Sequence, residues 1–188
     1  MAVVSNIETA DTPELQQFYE TIERTSGGLG VLNVFKAMAH SPELMRTWWD
    51  VMTLLFTRLS LSPRLRELAI LRLFQLTRCE YGFAHHVRIG RRVGITAEEI
   101  DALGEYESSS RFPEAERLVL RYTDAVTELR SDAPGIASAL LGHLSEAELV
   151  ELTFCIANWN LMARLLEPLA VEVEDEIAAE LPGWWSRG

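Results

Sequence analysis

Residues 62–86 read SPRLRELAILRLFQLTRCEYGFAHH, and this stretch decides the fold class. Its Ser62-Pro63 start is typical of a helix, because proline is tolerated at the first helical position and apolar residues then recur at helical spacing. Ser41-Pro42 repeats the pattern, and S/T-x-x-E capping boxes begin at Thr96 and Ser145. No segment alternates apolar and polar residues between turn signals, as a half-buried strand would. We therefore predict an all-α fold.

The same start and stop signals divide the chain into successive predicted helices. They cover residues 13–26, 31–39, 42–58, 63–76, 78–93, 97–104, 113–130, 134–141 and 146–171, and the first is expected to end at Gly27-Gly28. We predict a single all-helical domain over residues 1–188, with an N-terminal helical extension, a core motif region at 42–104, C-terminal helices at 113–171 and an acidic tail at 172–188. Leu61-Ser62 and Leu144-Ser145 open similar segments, which indicates either a weak internal repeat or shared capping chemistry.

The composition limits the classes of partner. The 188 residues hold 17 Lys and Arg against 28 Asp and Glu, a formal net charge of −11, which argues against nucleic acid and anionic membrane surfaces as partners. The longest stretch without Asp, Glu, Lys or Arg runs from Ala133 to Ser145, shorter than the ~20 apolar residues of a membrane helix. The first residues do not resemble a secretory signal, and two cysteines do not make a disulfide scaffold. We therefore predict a cytoplasmic protein with free thiols.

Four side chains capable of acid, base or nucleophilic chemistry lie close together in sequence: Glu67, Cys79, Tyr81 and His86. The Thr-x-x-Glu pattern that begins two residues before Cys79 is a capping box, which places this cysteine near the second position of a helix, where the dipole favours a thiolate. His86 and Gly82 return to the same helix face as Cys79, and Glu67 reaches that face if the two helices pack antiparallel. The set predicts proton transfer, with an imidazole that titrates near neutral pH and a carboxylate that orients it.

Each of these residues also has a structural interpretation. A lone cysteine in a helical bundle is often a small buried hydrophobe, and a histidine beside arginines is often a solvated surface residue. One cysteine and two adjacent histidines do not supply the ligand spacing of a zinc site. We predict neither a metal nor a cofactor.

The spacing Glu67-x11-Cys79-x2-Gly82-x3-His86 resembles the signature of the carboxymuconolactone decarboxylase and alkyl hydroperoxidase D (AhpD) superfamily, whose redox members carry Glu-x11-Cys-x2-Cys-x3-His. The resemblance is strongest from about residue 42 to residue 103, and segment 144–170 is a weaker match. It implies an AhpD-like helical bundle that assembles as trimers or hexamers, or as dimers in longer members, with pockets near the subunit contacts.

The chain departs from the redox branch of this superfamily at two positions. Gly82 stands where the second cysteine belongs, and Tyr81 stands where a histidine lies between the two cysteines. A local dithiol therefore cannot form. Cys155 is an alternative partner for Cys79, provided that their Cα atoms lie within about 7 Å of each other.

These departures favour the decarboxylase-like branch, for which the resemblance implies cofactor-free acid/base chemistry on a small organic acid or lactone. In this interpretation His86 is the general acid/base and Glu67 orients it. Tyr81 or Cys79 donates a hydrogen bond to developing negative charge.

Seven of the sixteen arginines lie between Arg64 and Arg92, around the motif. Arginine binds carboxylates in a bidentate fork, which suits an organic acid, and we take Arg72 and Arg88 as candidates for substrate binding. Pairing with surface glutamates or subunit partners explains the same arginines equally well. The aromatic candidates for lining an apolar pocket, with core packing as the alternative, are Trp48-Trp49, Phe83 and Trp159.

Three functions follow as hypotheses. The first is a carboxymuconolactone decarboxylase-like lyase, and the second is an AhpD-like thiol peroxidase with peroxiredoxin-type activity, in which Cys79 is oxidised and resolved by Cys155 or an external thiol. The third is a non-catalytic oligomer that binds a hydrophobic acid. The expected partner is a small-molecule substrate, an organic acid. We also expect a homo-oligomer, a dimer, trimer or hexamer, because the apolar helices carry more hydrophobic surface than one small core covers.

Overall fold

The computed structural model describes residues 2–25 and 29–185, and these ranges contain helices and no strand. The helices are α1 (Pro13–Thr25), α2 (Asn33–Met38), α3 (Pro42–Thr57), α4 (Pro63–Thr77), α5 (Glu80–Arg92), α6 (Ala97–Ala102), α7 (Glu114–Thr127), α8 (Ala133–Leu140), α9 (Glu146–Leu169) and α10 (Asp175–Ala178), with a 3₁₀ turn at Leu103–Glu105. The predicted all-α fold is confirmed. Gly27-Gly28, predicted to end the first helix, lies outside the described residues.

Helix starts follow the sequence signals. Thr96 and Ser145 each form a complete capping box, in which the hydroxyl accepts from the backbone N–H of Glu99 or Glu148 and that glutamate accepts from the backbone N–H of the cap. α3 and α4 begin with proline. Every predicted helix is present with its described ends shifted by at most three residues, and α10 is an additional short helix in the acidic tail.

α4 lies at the centre of the bundle and packs against α5, α7 and α9. Its fully buried apolar side chains are Leu68, Ala69, Ile70, Leu71, Leu73 and Phe74. Burying a side chain of leucine or phenylalanine size contributes about 1.5–3 kcal/mol relative to leaving it exposed. Arg66 and Glu67 are buried on the same helix, so these two charged groups need partners inside the protein.

The connection between α4 and α5 is the pair Arg78-Cys79. Arg78 has a left-handed backbone with φ 54°, and the N–H of Cys79 donates to the carbonyl of Phe74 over 3.1 Å, which closes the last turn of α4. The predicted capping box at Thr77 is wrong, because the Thr77 hydroxyl donates to the carbonyl of Leu73 within α4. Cys79 is the N-cap of α5 and not its second residue. The two helices form an antiparallel pair joined by two residues.

The acidic tail folds back onto α5. α10 packs against α5, and Trp185 stacks on Phe83 with ring centroids 4.3 Å apart. The indole N–H of Trp184 donates to Oδ1 of Asp101 over 2.6 Å. Phe83 was expected to line a substrate pocket, and this expectation is wrong, because the tail covers its ring.

By length and composition alone, α9 is one helix of the described chain that is long and apolar enough to cross a membrane. Core helices of soluble proteins pass the same test. α9 packs against α4 and α7 and buries Cys155, Ile156 and Trp159 in the bundle. We therefore describe it as a core helix, and the cytoplasmic location stays a prediction.

Candidate active site

His86 on α5 and Glu67 on α4 form a buried pair. The Nδ1–H of His86 donates to Oε2 of Glu67 over 2.7 Å, and the two residues are 3% and 0% exposed. Oε1 of Glu67 accepts from Nε of Arg66 over 2.9 Å, and the same guanidinium donates to the carbonyl of Leu55 over 3.0 Å. The antiparallel packing of α4 and α5 thus brings together the carboxylate and the imidazole.

The hydrogen bond to Glu67 sets the role of Nδ1. An ionised carboxylate only accepts, so Nδ1 of His86 is the donor in this bond. Among the described residues, the hydrogen bond of His86 is made through Nδ1, and none is made through Nε2. Arg66 balances the charge of Glu67, as a buried carboxylate requires. His86 therefore has one nitrogen held in place and the other available to a ligand.

Aromatic rings surround the imidazole. The centroid of Trp159 lies 4.6 Å from that of His86, and the centroids of Phe74 and Phe56 lie 5.5 Å and 6.2 Å away. The Arg66 guanidinium lies 4.6 Å from the Phe56 ring centroid. These contacts restrict the rotation of the imidazole and exclude water from its surroundings.

A small apolar cavity of about 90 Å³ adjoins this pair. His86, Gly82, Trp48 and Trp159 contribute to its wall. The indole N–H of Trp48 is buried without a partner among the described residues, a state that costs about 1–3 kcal/mol. The indole N–H of Trp159 is also unpaired there, but it lies against the Cys155 thiol. The cavity thus has an apolar wall, to which both His86 and Trp48 contribute side-chain surface.

Cys79 does not line this cavity and is fully buried. Burial raises the pKa of its thiol well above the usual value, against the lowering effect of the Gly82 backbone N–H, and Glu167 raises it further. The expectation of a thiolate favoured by the helix dipole is therefore wrong, because desolvation outweighs the helix terminus. Cys155 is likewise a buried free thiol, whose pKa burial raises to about 12.

Gly82 faces the ring of Phe74. A Cβ at this position would lie 2.2 Å from Cε1 and 2.3 Å from Cζ of Phe74, far inside van der Waals contact. The ring therefore occupies the space that a cysteine side chain at position 82 would need.

The sequence profile of the carboxymuconolactone decarboxylase family matches residues 42–125, which include both halves of the buried pair. This match supports the resemblance to the carboxymuconolactone decarboxylase and AhpD-like superfamily that the motif spacing predicts. No curated protein matches the chain in sequence.

Solved structures share the AhpD-like fold along nearly the whole chain. The debrominase Bmp8 in complex with 2,3,4-tribromopyrrole is 19% identical, with a TM-score of 0.78 and coverage of 96% of both chains. A peroxidase-related protein from Silicibacter sp. TM1040 is 18% identical, with a TM-score of 0.79 and coverage of 98% of this chain and 96% of that one. An AhpD-core, peroxidase-related protein from Ralstonia eutropha JMP134 is 18% identical, with a TM-score of 0.74 and coverage of 91% of this chain and 92% of that one. At these identities the likeness shows the fold.

A second cluster lies between α5 and the tail and is centred on Glu174. Its Oε2 lies 2.7 Å from Nε2 of His85, and its Oε1 accepts from the Tyr81 hydroxyl over 3.2 Å and from the backbone N–H of Asn33 over 2.6 Å. The Tyr81 oxygen also accepts from the backbone N–H of Val34. Tyr81 lines the cavity, but its hydroxyl proton is engaged by Glu174. Sequence reasoning missed Glu174, which lies 93 residues from Tyr81 along the chain.

The predicted substrate-binding residues separate in the structure. Arg72 makes a two-pronged ion pair with Asp124, at 2.7 Å and 3.0 Å, and does not line the cavity, so its proposed substrate contact is corrected to a link between α4 and α7. Arg88 lies in a groove beside the cavity, and Trp159 lines the cavity next to His86. Within residues 2–25 and 29–185, no cluster of three or more His, Cys, Asp or Glu side chains could hold a metal ion.

Proposed function

We propose that this protein is a cofactor-free acid/base enzyme of the decarboxylase-like type, acting on a small organic acid or lactone. The observation that carries the proposal is the 2.7 Å hydrogen bond between His86 and Glu67, which leaves Nε2 of His86 without a partner in the described chain, beside an apolar cavity. Such a pair is suited to general acid/base catalysis, because the carboxylate orients the ring and stabilises the imidazolium that forms.

The proton balance of the proposed reaction is simple. Nε2 of His86 accepts a proton from the substrate, and the electron pair of the broken bond moves onto the substrate as an enolate-type anion. Imidazolium then returns the proton to another substrate atom. In a decarboxylation, Nε2 of His86 first accepts the carboxyl proton of the substrate acid. The C–C bond then breaks, CO₂ leaves, and the Nε2–H protonates the carbon that received the electron pair.

Negative charge that develops on the substrate needs a hydrogen-bond donor in the cavity. Cys79 lies outside the cavity, and the Tyr81 hydroxyl is occupied by Glu174. The Trp48 indole N–H is buried and unpaired within the described chain, and the Trp48 ring lines the cavity. We therefore assign the donor role to Trp48 in place of Tyr81 and Cys79.

The thiol peroxidase hypothesis has less support. It requires a Cys79 thiolate, and burial raises the pKa of this thiol while Phe74 fills the space for a second cysteine. The non-catalytic hypothesis shares the cavity with the enzyme hypothesis, and turnover separates the two.

The test measures deuterium uptake from D₂O into carboxymuconolactone and a panel of small lactones and β-keto acids, together with CO₂ release. His86→Gln is expected to lower the rate about 10²- to 10⁴-fold, because it removes the base but keeps the shape of the side chain. Glu67→Gln lowers it less, by misorienting the ring. His143→Gln, at an exposed histidine, is the matched control. A His86→Gln enzyme that keeps the wild-type rate contradicts the proposal, whereas peroxide-dependent loss of the Cys79 thiol favours the peroxidase.

Self-association remains part of the proposal. α9 exposes Val150, Phe154 and Leu161 at 52–68% of their surface, apolar area that a second copy of the chain would cover. Sedimentation at micromolar concentration is expected to show an oligomer that Phe154→Glu dissociates. A wild-type monomer contradicts this expectation.

A further inference from the structure

A groove of about 300 Å³ runs beside the cavity, between α1, α3 and α5. Leu32, Phe35, Met52, Phe56, His85 and Ile89 line both spaces. One layer of side chains therefore separates the groove from the cavity. Met52 and Ile89 in this layer are only partly buried, and methionine adapts its shape easily.

The cavity alone is too small for most organic acids. Its volume of about 90 Å³ is below the ~150 Å³ of an apolar protein cavity that admits benzene. A ligand larger than a few heavy atoms that reaches His86 must therefore extend through the shared layer into the groove.

The groove carries two cations at its rim. Arg88 and Arg92 lie on the face of α5 that also presents His85 and Ile89, at positions i, i+3, i+4 and i+7. Neither arginine has an ion-pair partner among the described residues, whereas Arg91 between them pairs with Glu180.

No carboxylate belongs to the described lining of the groove. The other titratable group there, His85, is already held by Glu174. In a chain of net charge −11, a groove with two arginines and no acid is a local site for an anion.

We propose that the groove is the anion subsite of the enzyme, where Arg88 and Arg92 bind the carboxylate of an elongated acid whose apolar body passes Met52 and Ile89 into the cavity. This proposal rests on the proposed function and names its substrate class. The carboxylate in the groove is not the reacting group. The reacting group lies at the opposite end, near His86, and carries an oxygen that accepts from the Trp48 indole N–H.

The helix gives a scale for the length of such a ligand. Arg92 lies six positions after His86 on α5, an axial rise of about 9 Å at 1.5 Å per residue. About six to eight bonds of an extended chain span this distance, with carbon–carbon bonds of about 1.5 Å. The substrate class is therefore a medium-length acid with a carbonyl-type group near its far end.

The test measures binding of 7-oxooctanoate and of its uncharged methyl ester by calorimetry and by quenching of tryptophan fluorescence. The acid is expected to bind at least tenfold more tightly than the ester. Arg88→Gln and Arg92→Gln each lower the affinity for the acid about fivefold or more and leave the ester unchanged, and the double variant binds both equally. Arg111→Gln, which removes the same charge at an exposed site outside the groove, leaves both affinities unchanged.

Equal affinity of the wild-type protein for acid and ester overturns the proposal, as does an acid affinity insensitive to both arginine substitutions. Absence of millimolar binding by every oxo acid from six to ten carbons also overturns it. His86→Gln is expected to keep the preference for the acid. If the protein still prefers the acid over the ester but its turnover does not depend on His86, the anion subsite is supported and only the proposed function is contradicted.

Discussion

Adding a side chain at Gly82 is expected to destabilise the protein strongly. The new Cβ would lie 2.2 Å from Cε1 of Phe74, whereas carbon atoms in contact stay about 3.5–4.0 Å apart, so the ring must move by about 1.5 Å. Phe74 is fully buried and packs against His86 and Trp159, and the α5 backbone is held against α4. Overpacking of this kind costs about 1–3 kcal/mol, and we expect Gly82→Ala to lie at the upper end.

Phe74→Leu is expected to relieve the clash. Alone it leaves a cavity and destabilises the protein, but beside Gly82→Ala it removes the ring atoms that overlap with the new Cβ. The two substitutions are therefore expected to couple by about 1–3 kcal/mol in a double-mutant cycle. Gly82→Cys follows the same rule, so a second motif cysteine requires a smaller residue at position 74.

The assay is urea unfolding at one protein concentration, with the midpoint compared at constant m-value. Gly135→Ala is the matched control, because no atom lies within 4 Å of the position that a Cβ would occupy at this helical glycine. Alanine at this position is expected to stabilise α8 by about 0.5–1 kcal/mol. A Gly82→Ala protein within about 0.5 kcal/mol of wild type, or strictly additive substitutions, would refute the reasoning.

Three further predictions concern other parts of the chain. Arg72→Met is expected to lower the free energy of unfolding, measured in urea, by about 3 kcal/mol, because it removes the ion-pair partner of the Asp124 carboxylate. Ligand binding per folded molecule is expected to stay unchanged. Cys79 and Cys155 are expected to react with a disulfide reagent at pH 8 only after unfolding, since burial raises both thiol pKa values; fast reaction of the native protein would contradict this. Burial raises the pKa of Glu174, but the hydrogen bond and charge of His85 and the backbone hydrogen bonds outweigh burial and lower the pKa below its usual value. The stability advantage of wild type over Glu174→Gln is therefore complete above the unfolded pKa and shrinks as the pH falls through the folded pKa. An advantage that grows on acidification would disprove this prediction.

Much of the fold could be predicted because its signals are local. The capping boxes at Thr96 and Ser145 and the prolines that open α3 and α4 each act within one helical turn. The prediction for the turn before α5 is wrong because the Thr77 hydroxyl can make either of two hydrogen bonds. It donates to the Leu73 carbonyl within α4 and does not cap α5.

The candidate site was predictable only in part. Cys79 lies twelve residues after Glu67 and seven residues before His86. These spacings are enough to suggest that Glu67 and His86 meet across an antiparallel helix pair. Tyr81 donates a hydrogen bond to Glu174, and Trp185 covers the ring of Phe83. Both partners belong to the tail, and no local sequence pattern predicts where the tail packs. The unpaired N–H of Trp48 is likewise a property of packing between distant helices.

The edge-to-face contact between Trp159 and His86 gives the protein a built-in optical reporter. An excited indole transfers an electron readily to a neighbouring imidazolium and poorly to a neutral imidazole, so the emission of Trp159 should dim when His86 gains a proton. The protein has five tryptophans, so the part of the fluorescence change during turnover that Trp159→Phe abolishes would record the charge of the ring, without a label.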